Sequence, residues 1–550
     1  MMPKFFSMIK NGEITKEQVM KDIIAGVIVA IIAIPLSIAL GISSGVSPEK
    51  GLITAIFAGF IISFLGGSRV QIGGPTGAFV VIIYSIIQEY GLNGLITATI
   101  MAGIIMIIMG LLKFGSLIKY IPQTITIGFT AGIAVTLMST QVKDFLGLKI
   151  DNVPAEFFAK WNSYFSNMGT LNIYSLAIGI ISVIIIIVWP KINKTIPGSM
   201  IALILATLAV KLLDLPVDTI GSRFQDISST ISAPVLPQLS MSVINKLFSP
   251  AMTIAILAAL ESLLSAVVAD GMIGDTHDSN MELVAQGIAN ITSGLFGGIP
   301  ATGAIARTAA NVRTGGRSPI AGMVHAITLL ITMLILMPLA KMVPMTVLAA
   351  ILAVVSYNMS QWRAFKGLLK APKSDVIVLL VTFIGTVIFD LVVAIGIGMV
   401  MTAFLFMKRI SDTTQIRDLV EEKVFDEETT AILEKTDGRI RVYQVNGPMF
   451  FGVAQEFICK IKEIEASVGV VILDMRHTHA IDASAIDALT RLLKHCDANN
   501  IKLCLTHVQE QPMKVLHRMG FAVQLGVSHI YETKTEAIEK AYDYLEQLEA

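Results

Sequence analysis

The sequence predicts an α-helical polytopic membrane domain followed by a small α/β domain in the cytosol. Three observations carry that prediction. The 550 residues are 54% hydrophobic and only 15% charged, whereas a soluble domain is about 25% charged. Before residue 410, apolar runs such as Ile23 to Gly41 recur, and about 20 such residues suffice to span a bilayer. After Arg409 those runs stop, and short strands alternate with amphipathic helices.

The chain divides into an N-terminal cytosolic segment (1–20), a transmembrane domain (21–409), a charged linker (410–436) and a C-terminal domain (437–550). The first apolar run begins after Lys16 and Lys21 and has no small-residue cleavage pattern, so it reads as a true span, not a cleavable signal. About fourteen apolar segments follow, several too short to cross alone. Lys113 and Lys119, Lys191 and Lys194, Arg313 and Arg317, Arg363 to Lys373, and Lys408 with Arg409 fall on the side of the N-terminus. The positive-inside rule then puts both termini in the cytoplasm. Lys143 and Lys160 dissent, in a longer loop.

The formal net charge is zero, which argues against a nucleic-acid partner. Cys459, Cys496 and Cys504 all lie in the tail without metal-ligand spacing and read as reduced core residues in a reducing compartment. The tail is read as strands 439–445, 469–475 and 501–507, with helices 453–464, 484–496, near 511–518, and 534–548.

Within the membrane domain the stretch Gly73 to Val81 (GGPTGAFVV) places helix breakers where a span should run. A second stretch, Gly297 to Ala306 (GGIPATGAIA), repeats the order Pro/Thr/Gly/Ala with one residue inserted. A second matched pair follows each: Lys119 to Thr124 (KYIPQT) and Lys341 to Thr346 (KMVPMT). Two matches in one order at similar separation define an internal repeat. With seven spans per repeat, the second copy enters from the opposite side, as in many secondary transporters. Irregular backbone at membrane depth survives only inside protein or against an aqueous cavity. We therefore expect short helices starting at Thr76 and Thr302. Their unpaired N–H groups and positive dipole ends would face each other and hold an anion.

Glu261 lies midway along an otherwise uncharged span, where a carboxylate is costly and usually faces the bundle interior. It stands 39 residues before Pro300, as Pro35 stands 40 before Pro75. It could carry a proton, or ligate Na⁺ together with Ser265 one turn on. Arg307, one turn inside the second broken helix, could attract the anion or anchor the cytoplasmic side. Asp270, Asp275, His277 and Asp278 read as a solvated, capping loop, and His325 as a satisfied packing histidine. In the tail, Ser484 reads as the N-cap of a helix after Asp482, a position that would also welcome a phosphate.

These stretches, with ESLLSAVVADGMIGDTHDSNMELVAQGIAN and the tail motif DASAIDAL, resemble the sulfate permease (SulP) family of anion transporters over nearly the whole chain. The tail is similar to a STAS domain. The resemblance implies fourteen segments in two inverted repeats of seven with two half-helices, an elevator-like movement, a homodimer, and a cytosolic regulatory STAS domain able to engage a protein partner. Thr76, Gly77, Ala78, Thr302, Gly303 and Ala304 would line the anion site, with Arg307 supplying positive charge and Glu261 the coupling carboxylate. Sodium-coupled bicarbonate members carry Asp there. Glu261 with Ser265, where those members have Thr, favours proton coupling, with Na⁺ as the alternative. Ser484 matches the phosphorylated serine of related antagonists, although Ala485 replaces the usual glycine.

The expectation is therefore a secondary active transporter of small anions (sulfate, bicarbonate or C4-dicarboxylate) in the inner membrane. The alternatives are a Na⁺-coupled bicarbonate symporter, an uncoupled channel, or a sensor acting through its STAS domain. With no nucleophile–base pair, metal cluster or phosphate loop in context, no enzyme, metal or cofactor is expected.

Overall fold

The computed structural model describes the chain except residues 1, 117–120, 194–195, 225–227, 232, 235–236, 238–239, 390, 423, 451–466 and 550. It forms two compact units, Met1–Met399 and Val400–Ala550.

The first unit opens with a short helix, α1 (Lys4–Lys10), followed by α2 (Lys16–Ser43) and α3 (Pro48–Leu65). A two-residue strand, β1 (Gly73–Gly74), and a tight turn, Gly77–Phe79, lead into α4 (Val80–Leu111). Gly91 breaks α4 into two segments: its φ of 68° and ψ of −177° are non-helical and open only to glycine. Then come α5 (Gln123–Leu146), the short α6 (Phe157–Ser166), α7 (Ile173–Ile192), α8 (Gly198–Leu212) and one turn, α9 (Ile220–Arg223). The second half holds α10 (Met241–Ile273), α11 (Ser279–Leu295), β2 (Thr302–Gly303), α12 (Ile305–Arg313), α13 (Ile320–Ala340) and α14 (Met345–Met359). It ends with α15 (Trp362–Leu368), α16 (Lys373–Ile388) and the start of α17 (Leu391–Thr413), a helix that continues past Met399. With α4 counted as two and α1, α6, α9 and α15 set aside, fourteen segments divide as seven and seven. Among the described residues, nine helices are long and apolar enough to cross a membrane unaided.

The contacts repeat with the sequence. Helix α11 packs on the second part of α4 as α3 packs on α13, and α10 packs on α4 as α2 packs on α13. Helix α16 packs on α5 as α14 packs on α7. Pro122 and Pro344, the second matched pair, each stand directly before a helix, α5 and α14. Of the first member of that pair, Lys119 and Tyr120 lie outside the described residues. Strands β1 and β2 are antiparallel, Gly73 opposite Gly303 and Gly74 opposite Thr302, as two copies running in opposite directions require. Close approach depends on glycine: a Cβ on Gly103 would lie 2.5 Å from the Gly287 carbonyl, and one on Gly287 equally close to that of Gly103.

The second unit carries a five-stranded sheet in the order β3 (Gln415–Asp418), β4 (Ile440–Asn446), β5 (Val470–His477), β6 (Lys502–Thr506), β7 (Ile530–Tyr531). Only β3 is antiparallel to its neighbour. Two apolar clusters cover the sheet's faces, one built on the helix Ala483–Ala498 and one on Lys534–Glu549. The stretch 410–436, expected as a linker, contains β3 and a helix, Glu427–Lys435, capped by Asp426. An edge strand of four residues is too short for its alternation to stand out. The expected helix 453–464 and Cys459 lie outside the described residues. Cys496 and Cys504 are buried free thiols, which burial pushes up to about 12 and about 11, so they are unreactive core residues.

Ser484 is not the N-cap. Asp482 is: its carboxylate accepts from the Ala485 N–H at 2.9 Å, and Ser484 falls inside the first turn. Ala483 already has helical geometry, so the acceptor three residues before Ala485 takes the capping role.

Candidate functional site: two broken segments and a carboxylate

Each break begins with an extended piece held by side chains from other helices. Asn311 Nδ2 donates to the Val70 carbonyl at 2.8 Å, and the Ile72 N–H donates to Thr308 Oγ1 at 3.0 Å. In the second repeat, Asn290 clamps Ala301, donating to its carbonyl and accepting from its N–H, both at 2.9 Å. The Ala304 N–H donates to the Ile72 carbonyl at 2.8 Å, which closes the strand pair. Backbone groups that would be orphaned in lipid are thus satisfied across the repeats.

Thr76 is extended (φ −128°, ψ 160°) and caps the turn of Gly77, Ala78 and Phe79. The second helix does not start at Thr302, as the sequence suggested. Thr302 belongs to β2, its hydroxyl donating to the Ala258 carbonyl at 2.9 Å, and Ala304 is the N-cap. Pairing with Gly74 occupies Thr302 and delays the helix by two residues. The Phe79 N–H bonds back to the Thr76 carbonyl (3.4 Å) and the Thr308 N–H to that of Ala304 (2.9 Å). The N–H groups of Gly77, Ala78, Ile305, Ala306 and Arg307 therefore precede the helical ladder and are the donors the two ends offer.

Glu261, on α10, accepts a hydrogen bond from the Thr76 hydroxyl at 2.7 Å. Arg307 crosses to the other break, its Nη2 donating to the Pro75 carbonyl at 2.7 Å, while its buried Nη1 has no partner. A Cβ on Gly74, whose φ is +150°, would lie 2.3 Å from that Nη1, so only glycine leaves room for the guanidinium. Gly303 is tighter still, its would-be Cβ 1.6 Å from Gln71 Nε2. The structure thus brings Thr76, Glu261 and Arg307 together around the first break. Ser265 sits elsewhere in the network: buried, it donates to Thr308 Oγ1 at 3.3 Å. Ser484 belongs to the second unit.

The loop after α10 is pinned by its acidic residues. Asp270 takes the His277 N–H at 2.9 Å and its Nδ1 at 2.6 Å, Asp278 caps α11, and Asp275 pairs with Lys4 at 3.1 Å. Among the described residues no cluster of His, Cys, Asp or Glu is arranged for a metal ion. His325 is fully buried, but neither ring nitrogen is hydrogen-bonded. It is packed rather than satisfied.

Sequence reasoning missed Gln71, Glu282, Asn290, Thr308 and Asn311. Glu282 is a second fully buried carboxylate. It accepts from the Gly67 and Ser68 N–H groups (2.9 and 3.2 Å), Gln286 Nε2 (2.9 Å) and Ser262 Oγ (3.3 Å). Its signal is faint, because it follows the polar run Asp275 to Asn280 in the first turn of α11 and reads as a first-turn acid. We expect Glu282→Gln to turn an N–H₂ group against donors and to cost about 2–4 kcal/mol. Thermal unfolding of the detergent-solubilised protein would show this as a lowered midpoint.

A cavity of about 480 Å³ reaches the first half-helix at Ala78 and Val81. Glu89 and Tyr90, at the other end of that segment, also line it.

An inverted-repeat bundle with paired half-helices defines a polytopic membrane transport protein. The chain belongs to the sulfate permease family, which residues 19–382 match, and residues 431–537 match the STAS domain. It is an anion transporter by family, not an enzyme. YvdB of Bacillus subtilis, named for sulfate transport, is 39% identical over 536 residues, covering 97% of this chain and 99% of its own. The bicarbonate transporter BicA of Picosynechococcus is 30% identical over 519 residues, 90% of this chain and 89% of its own. Among solved structures, the transmembrane domain of a cyanobacterial BicA superposes with a TM-score of 0.64 at 30% identity, covering 70% of this chain and 98% of that one. SLC26A9 superposes with a TM-score of 0.86 at 20% identity, over 98% of this chain and 93% of that one, which shows the fold.

Proposed function

We propose that the protein is a proton-coupled secondary active transporter of small anions. The anion binds between the half-helix ends, with the N–H groups of Gly77, Ala78 and the first turn of α12 as donors and Arg307 as the positive charge. Thr302, Gly303 and Ala304 complete the wall as the strand-pair side of that site. The observation that carries this reading is the hydrogen bond from Thr76, cap of the first half-helix, to Glu261. An ionised Glu261 and an anion would compete for one positive helix end and repel each other. A proton on Glu261 removes the repulsion, so anion and proton travel together. Ser265 is engaged with Thr308 rather than with Glu261, which supports proton over Na⁺ coupling.

Sulfate and bicarbonate are the substrates suggested by the relatives' names, and C4-dicarboxylates remain in the class the site chemistry accepts. The protein would act in the plasma (inner) membrane as a homodimer, by an elevator-like movement. Both termini would be cytoplasmic, and a cytosolic partner would regulate transport through the STAS domain, with Ser484 in the first turn of its helix as the regulatory position. Uptake of labelled sulfate, bicarbonate and succinate into proteoliposomes, with acid outside, tests this. Accumulation that follows the proton gradient and ignores Na⁺ supports it; Na⁺-driven uptake, or flux too fast for a carrier, overturns it.

A further inference from the structure

Lys160 runs against the charge bias of the loops, and the transport site leaves it unused. It lies on α6, between the spans α5 and α7. That helix is amphipathic: Phe158 and Phe165 are exposed, while Lys160 and Tyr164, one turn apart, face inward at 3% and 1% exposure. The Tyr164 hydroxyl donates to the Ser139 carbonyl at 3.0 Å and fixes α6 against α5. Lys160 is therefore held in place, and it lines the cavity that ends at Ala78. Its ammonium has no hydrogen bond or ion pair with any described residue. The other titratable groups around the cavity, Glu89, Tyr90, Glu156 and Lys246, belong to α4, α6 with its cap, and α10. Glu89, Glu156 and Lys246 are exposed and screened by solvent, so the buried ammonium dominates the cavity's field.

A largely buried, unpaired ammonium is costly unless a counter-charge comes to it. We propose that Lys160 makes this cavity an anion antechamber: a second, weaker site that holds a small inorganic or carboxylate anion before it passes to the half-helix ends. The proposal rests on the transport reading for its purpose, but the binding stands by itself. Burial alone pushes the ammonium down to about 8. The antechamber is charged below that pH and fades as pH rises through it.

Two measurements decide the matter. In detergent, cyanate carbamoylation of Lys160 is followed by mass spectrometry with sulfate, bicarbonate or chloride against gluconate. Slowing at Lys160 by sulfate or bicarbonate, with exposed Lys10 unaffected, is the expected result. Sulfate or bicarbonate alone would mark a substrate antechamber, and chloride alone a resident counter-ion, overturning the delivery role. In proteoliposomes, Lys160→Gln should raise KM for anion on the cavity side about tenfold and leave kcat in place. Lys160→Arg should keep the low KM and lose its rise above about pH 8. No protection by any anion excludes the antechamber whether or not the protein transports. Protection without flux in the wild type sinks the transport reading instead. Protection with an unchanged KM in Lys160→Gln restricts Lys160 to a bystander and overturns the proposal.

Discussion

Glu261→Gln is expected to abolish uphill anion accumulation while leaving exchange intact. One pH unit across the membrane is worth about 1.4 kcal/mol per proton, enough for about a tenfold accumulation ratio at one proton per anion. In proteoliposomes with the potential clamped, the wild type should approach that ratio. The variant should settle near equal concentrations, because Gln keeps an acceptor for the Thr76 hydroxyl but carries no proton. Counterflow of labelled anion against unlabelled anion should persist. Accumulation by the variant equal to the wild type's would remove Glu261 from the coupling step.

Arg307→Gln is expected to weaken anion binding without unfolding the protein. The guanidinium serves two ends: Nη2 holds the Pro75 carbonyl and the unpartnered Nη1 remains for a guest. Gln can still donate one bond but brings no charge. A charge-assisted hydrogen bond is worth about 2 kcal/mol, so KM should rise roughly thirtyfold, with a smaller effect on kcat. A variant with wild-type KM would place the anion away from this end. Gly74→Ala is the companion experiment, since its methyl group would displace the same Nη1.

Much of the site was legible in the sequence because its signals are local. Glycine, proline and threonine have fixed backbone preferences, and their recurrence in one order revealed both breaks and the repeat. Pro122 and Pro344 marked the second matched pair of the repeat, and the structure shows each standing directly before a helix. Glu261 stood out as a charge in an apolar run. What stayed hidden is non-local. Thr302 looked like a cap because nothing in its own segment discloses that Gly74 claims it for a strand pair. Gln71, Asn290, Thr308 and Asn311 resemble ordinary polar residues until folding puts a stranded carbonyl or amide beside each. Ser484 lost the capping role to Asp482 by two positions, a margin finer than pattern reading resolves.

The smallest sheet in the molecule has the widest reach. Two residues from each half, Gly73–Gly74 and Thr302–Gly303, are stitched by backbone bonds, and the Arg307 strut reinforces the seam. Prising the halves apart would tear out bonds that no water or lipid stands ready to replace. In the elevator-like cycle proposed above, the cradle would therefore travel as one parcel, with the rest of the bundle sliding past it.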